Sequence, residues 1–135
     1  MDSEKLSSAM GKILIHLLSI EYSMRELIKY RSEKTDEYRT LTYFGAVCNR
    51  YNELVDEGFR VDKSIIKLRN MFAHGMISFS KPDFESSCTI LKYKKGTTTE
   101  NQIDINDEWL NTQINITLDV FSMVSQSIPY DQSHF

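Results

Sequence analysis

Residues 6–28 read LSSAMGKILIHLLSIEYSMRELI, and their spacing predicts one long helix. Leu6, Met10, Ile13, Leu17, Ile20, Met24 and Leu27 recur at alternating steps of four and three, which places them on a single stripe. Leu14, Ile15, Leu18 and Ile28 lie off that stripe. The middle of the helix is therefore apolar over much of its circumference and needs cover on more than one side. In a chain this short a second copy can supply the cover, which points to a homodimer.

Outward from this helix the pattern changes in steps. Residues 31–39 are nearly all polar and read as a loop or a fraying helix end. A second helix follows, with Leu41, Phe44, Cys48, Tyr51 and Val55 at helical spacing and Gly58 as its stop. A third is expected from Asp62, a good N-cap, with Ile65, Leu68 and Phe72 as its apolar face and His74-Gly75 as its end. Ile77 and Phe79 then alternate with polar residues, and the chain around Cys88, Ile90, Lys92 and Tyr93 also reads as extended. Lys95-Gly96 reads as a turn and Gln102–Ile105 as a returning strand. Asn106 is positioned to cap a last helix whose apolar side is Leu110, Ile114, Leu118, Phe121, Val124 and Ile128, and which Pro129 stops. The expected fold class is mainly α: a helical bundle with a small β-hairpin between the third and last core helices. Residues 1–128 form one domain in this reading, and 129–135 a flexible C-terminal tail.

Composition fits a folded domain. The chain has 135 residues, 41% apolar and 26% charged, enough to bury a core. The longest apolar run, Ile13-Leu14-Ile15-His16-Leu17-Leu18, is short and holds a histidine, so no membrane span is expected. The first residues, Met1-Asp2-Ser3-Glu4-Lys5, are polar and unlike a secretory signal. With two cysteines, Cys48 and Cys88, each inside an apolar pattern, a disulfide framework is not expected and a cytoplasmic location is. Net charge is −3, but residues 58–95 carry eight basic residues against three acidic ones. A polyanion would find a basic region there, but on charge alone solvated surface lysines are the better account.

Few residues carry chemistry. There is no glycine-rich phosphate loop, no His-Glu-x-x-His and no paired Cys-x-x-Cys. His16 sits among apolar residues of the first helix and reads as packing, and His134 lies in the tail. No metal site and no cofactor are expected. The exception is the end of the third helix. Asn70 and His74 are four residues apart and share a helical face, and Arg69 adjoins them. A helix C-terminus favours a protonated imidazole, a histidine titrating near neutrality serves as acid or base, and a guanidinium grips phosphate oxygens. Taken alone, the triple also fits a plain surface, with Arg69 solvated, Asn70 bonding the backbone and His74 capping the last carbonyls.

The stretch Arg69-Asn70-Met71-Phe72-Ala73-His74-Gly75 resembles the Arg-Asn-x-x-x-His signature of the HEPN superfamily. The layout is similar too: a long first helix carrying Glu21 and Arg25, the motif closing an internal helix, and a final helix. The resemblance implies a HEPN-like helical bundle. It further implies a metal-independent endoribonuclease acting as a dimer, with two copies of the motif facing a shared cleft. There a ribose 2′-hydroxyl attacks the adjacent phosphate. His74 would move the proton, Arg69 would stabilise the phosphorane-like transition state, and Asn70 would orient the histidine or the phosphate. Lys63, Lys67, Lys92, Lys94 and Lys95 would hold RNA near the motif.

Members of this kind act as toxins of toxin–antitoxin pairs or as phage-defence effectors, so a protein antitoxin or regulator is a further implied partner. Some toxin members carry a tyrosine two positions after the histidine, where a partner nucleotidyltransferase modifies them. Met76 stands at that position here, so that mode of control is not expected. Other members are accessory, which keeps a second reading open: a non-catalytic dimerisation or regulatory module that binds a protein partner.

Overall fold

α1 spans Ser3–Arg31 and, at about 1.5 Å per residue, forms a rod about 43 Å long against which the other helices pack. The computed structural model describes residues 3–34, 36–74, 76–79, 89–95 and 99–129, with side chains for 4–34, 36–73 and 105–129. The chain is mainly helical. After α1 come a single-turn α2 (Glu37–Thr40), α3 (Phe44–Leu54), a 3₁₀ turn (Glu57–Phe59), α4 (Lys63–His74) and α5 (Asp107–Ser127). Between α4 and α5 the backbone forms β1 (Met76–Phe79), β2 (Thr89–Lys95) and β3 (Thr99–Ile105). They pair antiparallel in the order β1-β2-β3, with Met76 and Gln102 flanking Lys92. β2 lies beside α4.

The stripe read from the sequence is the core of the bundle. Ile13, Leu17, Ile20, Met24 and Leu27 are buried completely or nearly so, against Val47, Cys48 and Tyr51 of α3 and Leu110 and Val124 of α5. Of the four residues off that stripe, only Ile28 is buried. Leu14, Ile15 and Leu18 are 47%, 62% and 56% exposed. α5 covers one flank of α1 and α3 the other, and neither reaches these three.

Two capping expectations acquire geometry. The Asp62 carboxylate accepts from the Ser64 N–H at 2.8 Å, and this bond holds its pKa below the usual carboxylate value. The Asn106 side chain accepts from the Trp109 N–H at 2.7 Å and starts α5, with Asp107 and Glu108 in its first turn.

Four expectations need correction. The second helix is shorter than its spacing suggested: Leu41 caps α2 instead, Val55 is the C-cap of α3, and Gly58 lies in the 3₁₀ turn beyond it. Residues 31–39 are not wholly loop, because Glu37 opens α2, where it meets Ser32 and Arg50. On α4, Met71 rather than Phe72 completes the buried face; Phe72 is half-buried and turned toward α1. On α5, Leu118 is 47% exposed and Thr117 is fully buried in its place. At about 100° per residue, Thr117 falls about 20° from the direction of Leu110, and Leu118 about 80°. Gly75, Cys88, the turn at Gly96 and the tail beyond Pro129, with His134, lie outside the described residues.

Among the described residues, no helix is long and apolar enough to cross a membrane, and no three His, Cys, Asp or Glu side chains converge as metal ligands would.

Candidate functional site

α4 has two distinct working sides. Ile65, Leu68 and Met71 face the core. Lys63, Lys67 and Asn70 are exposed, and with the His74 position they step by four, three and four along one line. This line ends at the C-terminus of the helix, where unpaired carbonyls concentrate partial negative charge. His74 is the last residue of α4; its side chain lies outside the described residues. The same holds for Lys92, Lys94 and Lys95, whose backbone runs along β2, with Lys94 opposite Glu100 and Lys95 opposite Thr99. Of the expected site residues, the structure thus brings Lys63, Lys67, Asn70 and the His74 backbone onto one face. Arg69 borders that face on the side of α1.

Arg69 is held by an aromatic ring. Its guanidinium carbon lies 5.9 Å from the centroid of Phe44, the first residue of α3, which is itself buried. A guanidinium over a ring face gains cation–π attraction while its N–H edges remain able to donate. Among the described residues those N–H groups meet no hydrogen-bond acceptor and no carboxylate. Arg69 is thus a half-exposed cation, fixed from beneath and available to an anion.

Beside it runs a cleft between α1 and α4. It measures about 150 Å³ and is walled by Leu14, Leu17, Leu18 and Glu21 of α1 and by Arg69, Phe72 and Ala73 of α4. Glu21 is one quarter exposed and touches Arg25 Nε at 3.4 Å. Arg25 in turn donates through Nη1 to the Tyr38 carbonyl at 2.6 Å, which fixes it against the start of the α2–α3 segment. The Glu21 carboxylate also acts on Cys48. The Cys48 thiol is pushed up to about 12, by burial first and then by the Glu21 negative charge. A thiol so buried is no nucleophile at physiological pH.

Sequence reading did not find Phe44 as the seat of Arg69, or the cleft itself. The available signal was the set of apolar residues off the buried stripe of α1: Leu14 and Leu18 are two of the cleft's walls. Glu21 entered only as part of a layout, whereas it stands in the same cleft as Arg69.

No family model, no curated protein and no solved structure matches the chain. The chemistry therefore has to be argued from the residues themselves.

Proposed function

We propose that the chain is a HEPN-type endoribonuclease that cuts RNA by attack of a 2′-hydroxyl on the adjacent phosphate, in a cleft shared by two copies. The frame for this reading is a HEPN-like bundle with its hairpin between the third and last core helices. The observation that carries it is Arg69, seated on Phe44 with its N–H groups unclaimed among the described residues, beside the exposed row Lys63, Lys67 and Asn70 that leads to His74. A phosphodiester laid along this row meets lysines first and the arginine where charge must develop.

His74 takes the proton from the 2′-hydroxyl, at the end of a helix whose dipole stabilises the imidazolium that results. The attacking oxygen forms a bond to phosphorus and the 5′-oxygen leaves as the imidazolium hands on its proton to it, giving a 2′,3′-cyclic phosphate and a 5′-hydroxyl. Arg69 neutralises the equatorial oxygens of the intermediate state. Asn70, one turn from His74, orients the imidazole or the phosphate. Lys92, Lys94 and Lys95 add basic residues along β2, the strand beside α4. The biological setting that fits such chemistry is a cytoplasmic toxin with a protein antitoxin, or a phage-defence effector.

The test is cleavage of labelled single-stranded RNA in EDTA by the wild-type chain and by His74→Ala, with product ends mapped and the fold checked by circular dichroism. The expected result is cyclic-phosphate products from the wild type, a loss of at least about a hundredfold in rate in the variant, and growth inhibition on expression that the variant lacks. Equal cleavage by both proteins overturns the reading.

A second reading has one observation in its favour. Leu14, Ile15 and Leu18 leave an apolar strip on α1 that suits a protein surface as well as a nucleic acid. In that reading the chain is a non-catalytic dimerisation or regulatory module. A stable complex with a protein partner, together with intact RNA, favours it over the nuclease.

A further inference from the structure

The α1–α4 cleft has features that phosphate chemistry alone leaves unused. Its lining is apolar at Leu14, Leu17, Leu18, Phe72 and Ala73 and charged at Glu21 and Arg69. At about 150 Å³ it is well below the roughly 300–1,000 Å³ of pockets for drug-sized ligands. One planar heterocycle is the kind of group that matches both the size and the apolar walls. Single-stranded RNA offers such groups, because its bases splay out, stack on aromatic or aliphatic side chains and are read along their pairing edges.

Glu21 then decides which base enters. An ionised carboxylate only accepts hydrogen bonds. One of its oxygens makes a single long contact with Arg25, at 3.4 Å. Guanine presents two adjacent donors on its pairing edge, N1–H and the N2 amino group, which match the two oxygens of a carboxylate. Adenine and cytosine present one donor beside an acceptor, and uracil one donor between two acceptors. Each of these sets a lone pair against a carboxylate oxygen. Arg69, another wall of the cleft and partly exposed, can hold the neighbouring phosphate.

We infer that the α1–α4 cleft is a guanine-reading slot in single-stranded RNA, with Glu21 as the residue that sets base preference and Arg69 holding the neighbouring phosphate. This deepens the ribonuclease reading and rests on it for the RNA, but it makes a separate claim about binding.

The experiment uses the full chain and two sets of short fluorescein-labelled uridine strands, each with a single central guanosine, adenosine, cytidine or uridine. One set is fully 2′-O-methylated, so that 2′-hydroxyl attack is blocked, and serves for anisotropy titration. The other is plain RNA and serves for mapping cuts. The wild type is expected to bind the guanosine strand about tenfold more tightly than the other three, the discrimination typical of one bidentate base contact. Glu21→Gln is expected to bring that ratio close to one. Ala73→Leu, which fills the slot from an exposed position without touching the carboxylate, is expected to do the same. Melting curves of both variants verify the fold.

Binding that ignores the base, absence of binding, or a guanosine preference that survives in Glu21→Gln overturns the slot; a slot filled by a second copy of the chain gives the first of these. Cleavage without guanosine preference overturns the slot and keeps the nuclease. Guanosine-selective binding with intact plain RNA keeps the slot and overturns the nuclease.

Discussion

Thr117 shows how one polar residue can sit where the pattern asks for an apolar one. It is fully buried on α5, and its hydroxyl lies 2.9 Å from the Gln113 carbonyl and 3.1 Å from that of Ile114. It also lies 2.8 Å from His16 Nδ1, and which of the two donates depends on the histidine tautomer. The pair ties the middle of α1 to the middle of α5. Thr117→Val keeps the shape and removes the hydroxyl. Because His16 is partly exposed, water can take over some of the bond, and the expected loss is about 1 kcal/mol. A urea titration read by circular dichroism measures it; an unchanged midpoint would mean that the pair contributes nothing. Sequence spacing could not anticipate this, because it scores Leu118 as the more apolar residue and has no access to a histidine about a hundred positions away.

At the scale of elements, the short α2 is held largely by polar contacts, with Tyr38 packed partly buried against the core. None of its residues is fully buried. Glu37 meets the Ser32 hydroxyl, and its carboxylate lies 2.5 Å from Arg50 Nε of α3; the same arginine donates through Nη1 to Glu53 at 2.9 Å. Ser32 first, and then Arg50, hold the Glu37 carboxyl below the usual carboxylate range. A depressed pKa fixes the sign of the linkage. The unfolded chain takes up a proton near pH 4.3, before the folded chain does, so the contribution is present above that pH and is lost as pH falls through the lower folded value. Glu37→Gln should therefore lower the urea midpoint at pH 7, and the gap from wild type should close as the titration moves from about pH 5 toward pH 3. A gap that stays constant with pH would show that Glu37 acts by shape and not by charge. The polar run 31–39 was legible as a non-core segment. Its one helical turn was not, because a single partly buried tyrosine and a few polar contacts leave no apolar period to mark it.

For the whole molecule, the buried stripe of α1, the caps at Asp62 and Asn106 and the order of the main helices were all readable, because each is a local consequence of spacing or of one side chain. The site was readable only as a motif. Its seat on Phe44 and the cleft walled by Glu21 join segments far apart in sequence, and no local pattern encodes such a meeting. The same limit applied to Leu14, Ile15 and Leu18: spacing said that they needed cover, and the chain folds without supplying it. In the proposed dimer a second copy covers part of this strip. Association and folding are then linked, and the melting temperature rises with protein concentration. Ile15, 62% exposed and outside the cleft, is the residue to change. Within one chain, an Ile15→Glu substitution at so exposed a position should shift stability by no more than about 0.5 kcal/mol. In a dimer it buries a carboxylate against apolar surface and should drive dissociation. Light scattering is expected to give about twice the 15.8 kDa chain mass for the wild type and a single chain mass for the variant, with the concentration dependence of melting lost as well. A wild-type chain that is monomeric and melts independently of concentration would remove the shared cleft from the mechanism and leave any catalysis to one copy of Arg69, Asn70 and His74.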